Sequence, residues 1–163
     1  MSTNVTEAAK DLVNLEGRLL DQKKWDEWLA LYAPDAEYWI PAWNGDLELT
    51  TNPRSELSLI YYPTRSGLED RVFRIRTNLS SASTPLPRTS HMVSNVLVEP
   101  VADGKLFVTS SWQVHAFRNK KLTTFAGQYE HTLRPDGNGW LIARKKTVVI
   151  NDVIPSVLDI YNV

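Results

Sequence analysis

With 163 residues, 42% of them apolar and 23% charged, the chain has the make-up of one globular domain with a sizeable core, which excludes the disordered and fibrous classes. A formal net charge of −1 leaves no basic footprint for nucleic acid, and no apolar run approaches the roughly 20 residues of a membrane span. Cysteine is absent, so disulfides, thiolate nucleophiles, thiolate-held zinc and cysteine-ligated iron–sulfur clusters are excluded on this chain.

The polar opening MSTNVTEAAKDL lacks the character of a signal peptide and predicts a cytoplasmic protein. Val5, Ala8, Ala9, Leu12, Leu15, Leu19 and Leu20 recur at helical spacing, with Thr6 as the expected N-cap. WDEWLALY, from Trp25 to Tyr32, predicts a second short helix that stops before Pro34, and AEYWIPAW then reads as a strand. Asn52-Pro53 predicts a turn and ELSLIYY a further helix, followed by TRSGLEDRVFRIR with Leu68, Val72 and Ile75 on one helical face.

Past Asn78 the pattern changes. NLSSASTPLP predicts a loop, and four strand-like segments follow at about Thr89–Val101, Lys105–Arg118, Thr123–Arg134 and Trp140–Ile150. Asp103-Gly104 and Asn119-Lys120 predict hairpin turns, and PDGNG at 135–139 a loop. Helices first and an antiparallel meander after them predict an α+β fold, with helices wrapped in a curved sheet to make a cone. Such a cone has a mouth and a concave interior where ligand pockets form.

The chemistry-bearing residues are few. If Asp103-Gly104 is a two-residue turn, His91 stands opposite Ala116, and His115 points to the other face of the sheet. His131 then lies level with Val108, roughly eight positions from the His91 level, or about 26 Å. These histidines build no shared metal site. His91 shares the more apolar face with Val93, Leu97, Trp112 and Val114. It is either a general base oriented by Asp70 or Glu69, or a core-edge histidine hydrogen-bonded to backbone. Arg71, Arg74 and Arg76 crowd one helix, with Arg88 not far on. They form either a docking site for carboxylates or a solvated face paired locally with Glu69 and Asp70. The six Trp and six Tyr need a partner surface, in a core or at an interface.

Four segments in order carry a family resemblance: LLDQKKWDEWLALYAPDAEYWIPAW at 19–43, SLIYYPTRSGLEDRVFRIRT at 58–77, PRTSHMVSNV at 87–96 and WLIARKKTVVIND at 140–152. Nearly end to end the chain resembles the small, or β, subunit of aromatic-ring-hydroxylating dioxygenases of the benzoate and anthranilate type. The resemblance implies a single domain over residues 1–163 with the cone-shaped α+β fold called NTF2-like, or cystatin-like. It implies a non-catalytic structural subunit bound to a large α subunit, typically as α₃β₃. In that family the α subunit carries a Rieske [2Fe–2S] cluster and a mononuclear Fe(II), and a reductase supplies electrons from NADH. The assembly converts an aromatic acid to a cis-dihydrodiol with O₂. The family transfers no catalytic, cofactor or metal residue to this chain. Asp70, Arg71, Arg74, Arg88, His91 and Trp43 are interface or scaffold candidates by residue type. Pro85 and Pro87 stiffen the approach to the strand that bears Arg88 and His91. Two other readings remain: a stand-alone dehydratase or isomerase of the same fold using His91, and a small-molecule binding domain.

Overall fold

The structure, a computed structural model, describes residues 3–78, 83–155 and 157–163. Three helices, α1 (Thr3–Asp21), α2 (Trp25–Ala30) and α3 (Arg65–Arg76), lie with six strands: β1 (Tyr32–Pro41), β2 (Ser58–Tyr62), β3 (Arg88–Pro100), β4 (Leu106–Arg118), β5 (Lys121–Asp136) and β6 (Gly139–Val149). The strands form one sheet in the order β2-β1-β6-β5-β4-β3. All neighbours are antiparallel except β1 and β6, which run parallel and join the helical half to the meander. The helices pack inside the curve of the sheet. Trp28, Tyr32, Tyr38, Phe125, Leu133 and Ile142 fill the space between them without exposure.

The buried face of α1 runs through Ala9, Val13, Glu16 and Leu20, steps of three and four that keep one side inward. Leu15 falls off that stripe and is 41% exposed. The helix begins before Thr6, which therefore lies in its body and is not the cap. Gly17 faces β3 so closely that a Cβ there would sit 2.8 Å from the Cβ of His91. The absent side chain sets how near α1 approaches the sheet.

Several expected boundaries move, each for a physical reason. The second helix ends at Ala30, and Tyr32 already belongs to β1. Pro34 does not interrupt that strand, because it falls where the β1–β6 register shifts between Tyr32 and Glu37 and no amide donor is needed. SLIYY is strand β2, not a helix. A short apolar run is ambiguous by period, and here the open edge of β1 claims it through the pairs Tyr38–Tyr62, Trp39–Tyr61 and Ile40–Ile60. Helix α3 buries Leu68, Val72 and Ile75 as expected. Of the expected loop at 78–87, residues 79–82 lie outside the described residues.

The first hairpin of the meander is wider than a two-residue turn. Pro100 pairs with Leu106 around a short 3₁₀ turn in which Asp103 and Gly104 take φ of 59° and 68°. A bulge at Asn95, with φ of 53°, shifts the register again. His91 therefore pairs with Val114 and not with Ala116. The bulge also turns Leu97 outward to 65% exposure while Val96 and Val98 take the inner positions. The second hairpin turns at Asn119-Lys120, both with positive φ, and sets Val108 opposite His131 as expected. The third is tighter than the expected loop, pairing Asp136 with Gly139.

Candidate functional site

One helix and three strands bring a buried carboxylate, imidazole, ammonium and phenol to one point inside the cone. Glu16 descends from α1, while His131 on β5 and Lys145 on β6 are cross-strand partners. Lys145 Nζ donates to Glu16 Oε1 at 2.8 Å, and His131 Nε2 donates to Glu16 Oε2 at 3.0 Å. The hydroxyl of Tyr32 donates to Oε1 as well. Lys145 Nζ also lies 4.2 Å from the centre of the Tyr129 ring, whose face attracts a cation. The side chains of Glu16, His131 and Lys145 are 0–2% exposed.

Burial alone raises the pKa of Glu16, but Lys145 and His131 overcome it and hold the carboxyl well below the usual range. Burial pushes His131 down, with the carboxylate only partly opposing, so the imidazole is neutral. Burial likewise lowers Lys145, and it raises Tyr32, to which Glu16 adds. The set holds an acid, an imidazole, a phenol and an amine, as an acid–base site would. Yet every donor is turned on one carboxylate and no face is open to a substrate. The arrangement is an ionic lock.

The mouth of the cone is filled by the chain itself. In the segment Leu158–Val163, Ile160, Tyr161 and Val163 are 0–2% exposed, and Asp159 is 1% exposed. Arg71 grips Asp159 with two guanidinium nitrogens, Nε at 2.8 Å from Oδ1 and Nη2 on Oδ2. That contact raises the pKa of Arg71. Asn162 Oδ1 accepts the Asp159 amide at 2.8 Å, and the Tyr161 and Ser83 hydroxyls meet at 3.1 Å. Around Glu16 the concave interior, where a ligand pocket was expected, is filled by the chain's own side chains.

The residues singled out in the sequence divide. The His91 side chain is 2% exposed and bonds Asp21, with Nδ1 at 2.5 Å from Oδ1 and the backbone amide at 2.8 Å from Oδ2. Thr89 Oγ1 donates to the same carboxylate at 2.8 Å. Burial raises the pKa of Asp21, but the His91 bonds bring it below its ordinary value. The expected partners Asp70 and Glu69 are wrong, because α1 and not α3 packs against β3. Glu69 pairs with Arg65 at 2.9 Å, and Arg76 with Asp26 at 2.7 Å. Arg71 is spent on Asp159, which leaves Arg74 and Asp70 on the exposed rim of a shallow cleft with Tyr62 and Gly67. Arg88 stacks its guanidinium 4.8 Å from the Phe117 ring centre on the outer sheet face. Trp43, 37% exposed, donates Nε1 to the Val149 carbonyl at 2.7 Å. Asp70, Arg71 and Arg74 thus share one cleft, while Arg88, His91 and Trp43 lie apart from it.

Among the described residues, no three His, Asp or Glu side chains converge as metal ligands would. The donor set does not fit an iron centre or an iron–sulfur cluster. Sequence reasoning missed Glu16, Tyr32, Lys145 and Asp159. The signal for Glu16 was a charge standing in the 9-13-16-20 stripe of α1.

A family model described as "Ring hydroxylating beta subunit" matches residues 15–156. The chain is 46% identical over 157 residues to the toluate 1,2-dioxygenase subunit beta of Pseudomonas putida, covering 96% of this chain and 97% of the relative. It is 41% identical to the anthranilate 1,2-dioxygenase small subunit of Acinetobacter baylyi, with both chains covered in full. The crystal structure of the benzoate 1,2-dioxygenase beta subunit from Burkholderia mallei superposes with a TM-score of 0.79 at 38% identity, over 95% of each chain. An NTF2-like protein with a cystatin-like fold from Novosphingobium aromaticivorans, 13% identical, gives 0.64 over 94% of this chain and 86% of its own, which speaks to the fold alone. A cone-shaped α+β fold, an interior locked by its own ions and a match to β subunits along nearly the whole length agree: the chain belongs to the ring-hydroxylating beta-subunit family.

Proposed function

We propose that this chain, acting over residues 1–163 as a single domain, is the non-catalytic β subunit of a dioxygenase that cis-dihydroxylates an aromatic acid such as benzoate or anthranilate. The carrying observation is 41–46% identity, along nearly the whole chain, to the beta or small subunits of 1,2-dioxygenases, in a chain whose acid–base cluster around Glu16 is sealed. The partner is a large α subunit, with α₃β₃ as the assembly. The Rieske [2Fe–2S] cluster and the mononuclear Fe(II) belong to that partner, and a reductase delivers NADH-derived electrons to the complex. No helix among the described residues is long and apolar enough to cross a membrane, and the reading places the complex in the cytoplasm.

On this reading the chain is a rigid wedge. Arg74, Asp70, Arg88 and Trp43 present side chains outward for subunit contacts, whereas Arg71 and His91 hold the scaffold from within. The test is expression with and without the cognate large subunit, followed by size, iron content and O₂-dependent turnover of benzoate and anthranilate. An inactive, iron-free chain alone and an active, iron-containing hetero-oligomer when paired are the expected pattern. Metal-free turnover by the isolated chain would overturn it.

A further inference from the structure

We propose that the chain carries a binding site for a small organic anion with a single-ring apolar body, in a cavity at the closed end of the β4–β5 hairpin. The cavity has about 220 Å³ of free volume, below the size of drug pockets and suited to one ring with a carboxylate. Its apolar walls are Ala116, Phe125, Pro87, Pro155 and Val157. Phe125 is fully buried and backs these walls from the core side.

The polar lining is one-sided. Arg118 and Lys121 are paired across the hairpin and both line the cavity. Arg118 Nη2 donates to the Thr84 carbonyl at 2.8 Å, which fixes its guanidinium in the wall. Lys121, exposed at the start of β5, brings a cation to the rim. Asn162 is only 4% exposed and also lines the space. Its Oδ1 is used on the Asp159 amide at 2.8 Å, which leaves its amide NH₂ as a donor for the cavity. Among the described lining residues there is no Asp or Glu. Lys121 and the buried Asn162 amide over apolar walls select an anion, with Arg118, engaged by the Thr84 carbonyl, adding its charge to the wall, and low-dielectric walls concentrate the field. A flat ring against the prolines and Val157, with its carboxylate toward Lys121 and Asn162, satisfies both halves of the lining.

The experiment is titration of the full ¹⁵N-labelled chain with benzoate, cyclohexanecarboxylate, benzyl alcohol and inorganic phosphate, followed by amide shifts and calorimetry. Both carboxylates are expected to give saturable shifts around Ala116, Lys121 and Thr123, with a Kd near the millimolar range for so few atoms. Lys121→Glu, a change at an exposed position, is expected to weaken benzoate by roughly tenfold. Ala116→Leu, which extends a wall into the space, is expected to abolish the shifts, with thermal melting as the check that it still folds. The proposal is overturned if benzyl alcohol binds as well as benzoate, if phosphate alone reproduces the shifts, or if Lys121→Glu changes nothing. Absence of any saturable binding overturns it too. Co-purification with a large subunit is untouched by these outcomes, so this site and the subunit reading fail separately.

Discussion

Removing the charge of Glu16 while keeping its shape is the sharpest probe of the ionic lock. In Glu16→Gln, Lys145 remains 1% exposed with no anion, held by the Tyr129 ring at 4.2 Å, the Tyr38 ring at 5.7 Å and the weaker pull of an amide oxygen. At 2.8 Å and an effective dielectric near 20, the lost attraction is about 6 kcal/mol, and a hydrogen bond from the ammonium to the new amide oxygen returns about 1.5–3 kcal/mol of it. A net loss of about 3–5 kcal/mol is expected, in keeping with other broken buried pairs. That is a large share of the roughly 5–15 kcal/mol typical of a domain. The double variant Glu16→Gln/Lys145→Met removes both charges and replaces the lysine stem with an apolar one. It should return to within about 1–2 kcal/mol of the parent. Urea unfolding followed by the fluorescence of buried Trp28 and Trp112 reads all three proteins, with an unchanged slope as the check on compactness. A single variant as stable as the parent, or a double variant no better than the single, would refute the reasoning.

The lock also has a pH signature. His131 has a folded-state pKa below its ordinary 6.5, so its contribution is complete above that value and is lost as pH falls, because only the unfolded chain accepts the proton. Unfolding free energies from urea curves should be level from pH 8 to about 7 and then fall by up to about 1.4 kcal/mol per pH unit. Glu16, also depressed, adds a second loss below about 4.5, its ordinary value. Arg71→Ala leaves the Asp159 carboxylate buried without its fork and should cost about 2–4 kcal/mol, with early hydrogen exchange at Ile160–Asn162. Arg71→Lys should recover only part of this, since an ammonium lacks the two-pronged geometry. Gly17→Ala should destabilise by about 1–3 kcal/mol despite a gain in helix propensity of up to about 1 kcal/mol, because the new methyl meets His91. Thermal melting measures it.

The meander was legible because its turns are written in Asp, Asn and Gly, and the alternation of its strands survives small slips in register. The level of His131 against Val108 followed from Asn119-Lys120 alone. The position of His91 did not, because nothing in the sequence marks the Asn95 bulge or the widening around Asp103, and each moves the pairing. Strand β2 was hidden for a different reason: five apolar-leaning residues carry no period, and only the edge of β1 decides their conformation. The ionic lock was the least visible feature. Its members are 115 and 129 residues apart in the chain, and only the docking of α1 brings them together. The orientation of His91 failed likewise, since choosing Asp21 over Asp70 requires knowing which helix lies on β3.

The parallel pairing of β1 with β6 sets a limit on how this chain folds. Tyr38 meets Lys145 across more than a hundred residues, whereas β3 to β6 close through successive short hairpins. The meander can form from local contacts, but β1 must wait for β6, and such non-local closures belong to the millisecond-to-second range. Until then both strands expose unpaired amides beside apolar side chains, the condition in which chains associate wrongly. Yield from recombinant expression should therefore depend on temperature and crowding during synthesis more than on the stability of the finished domain.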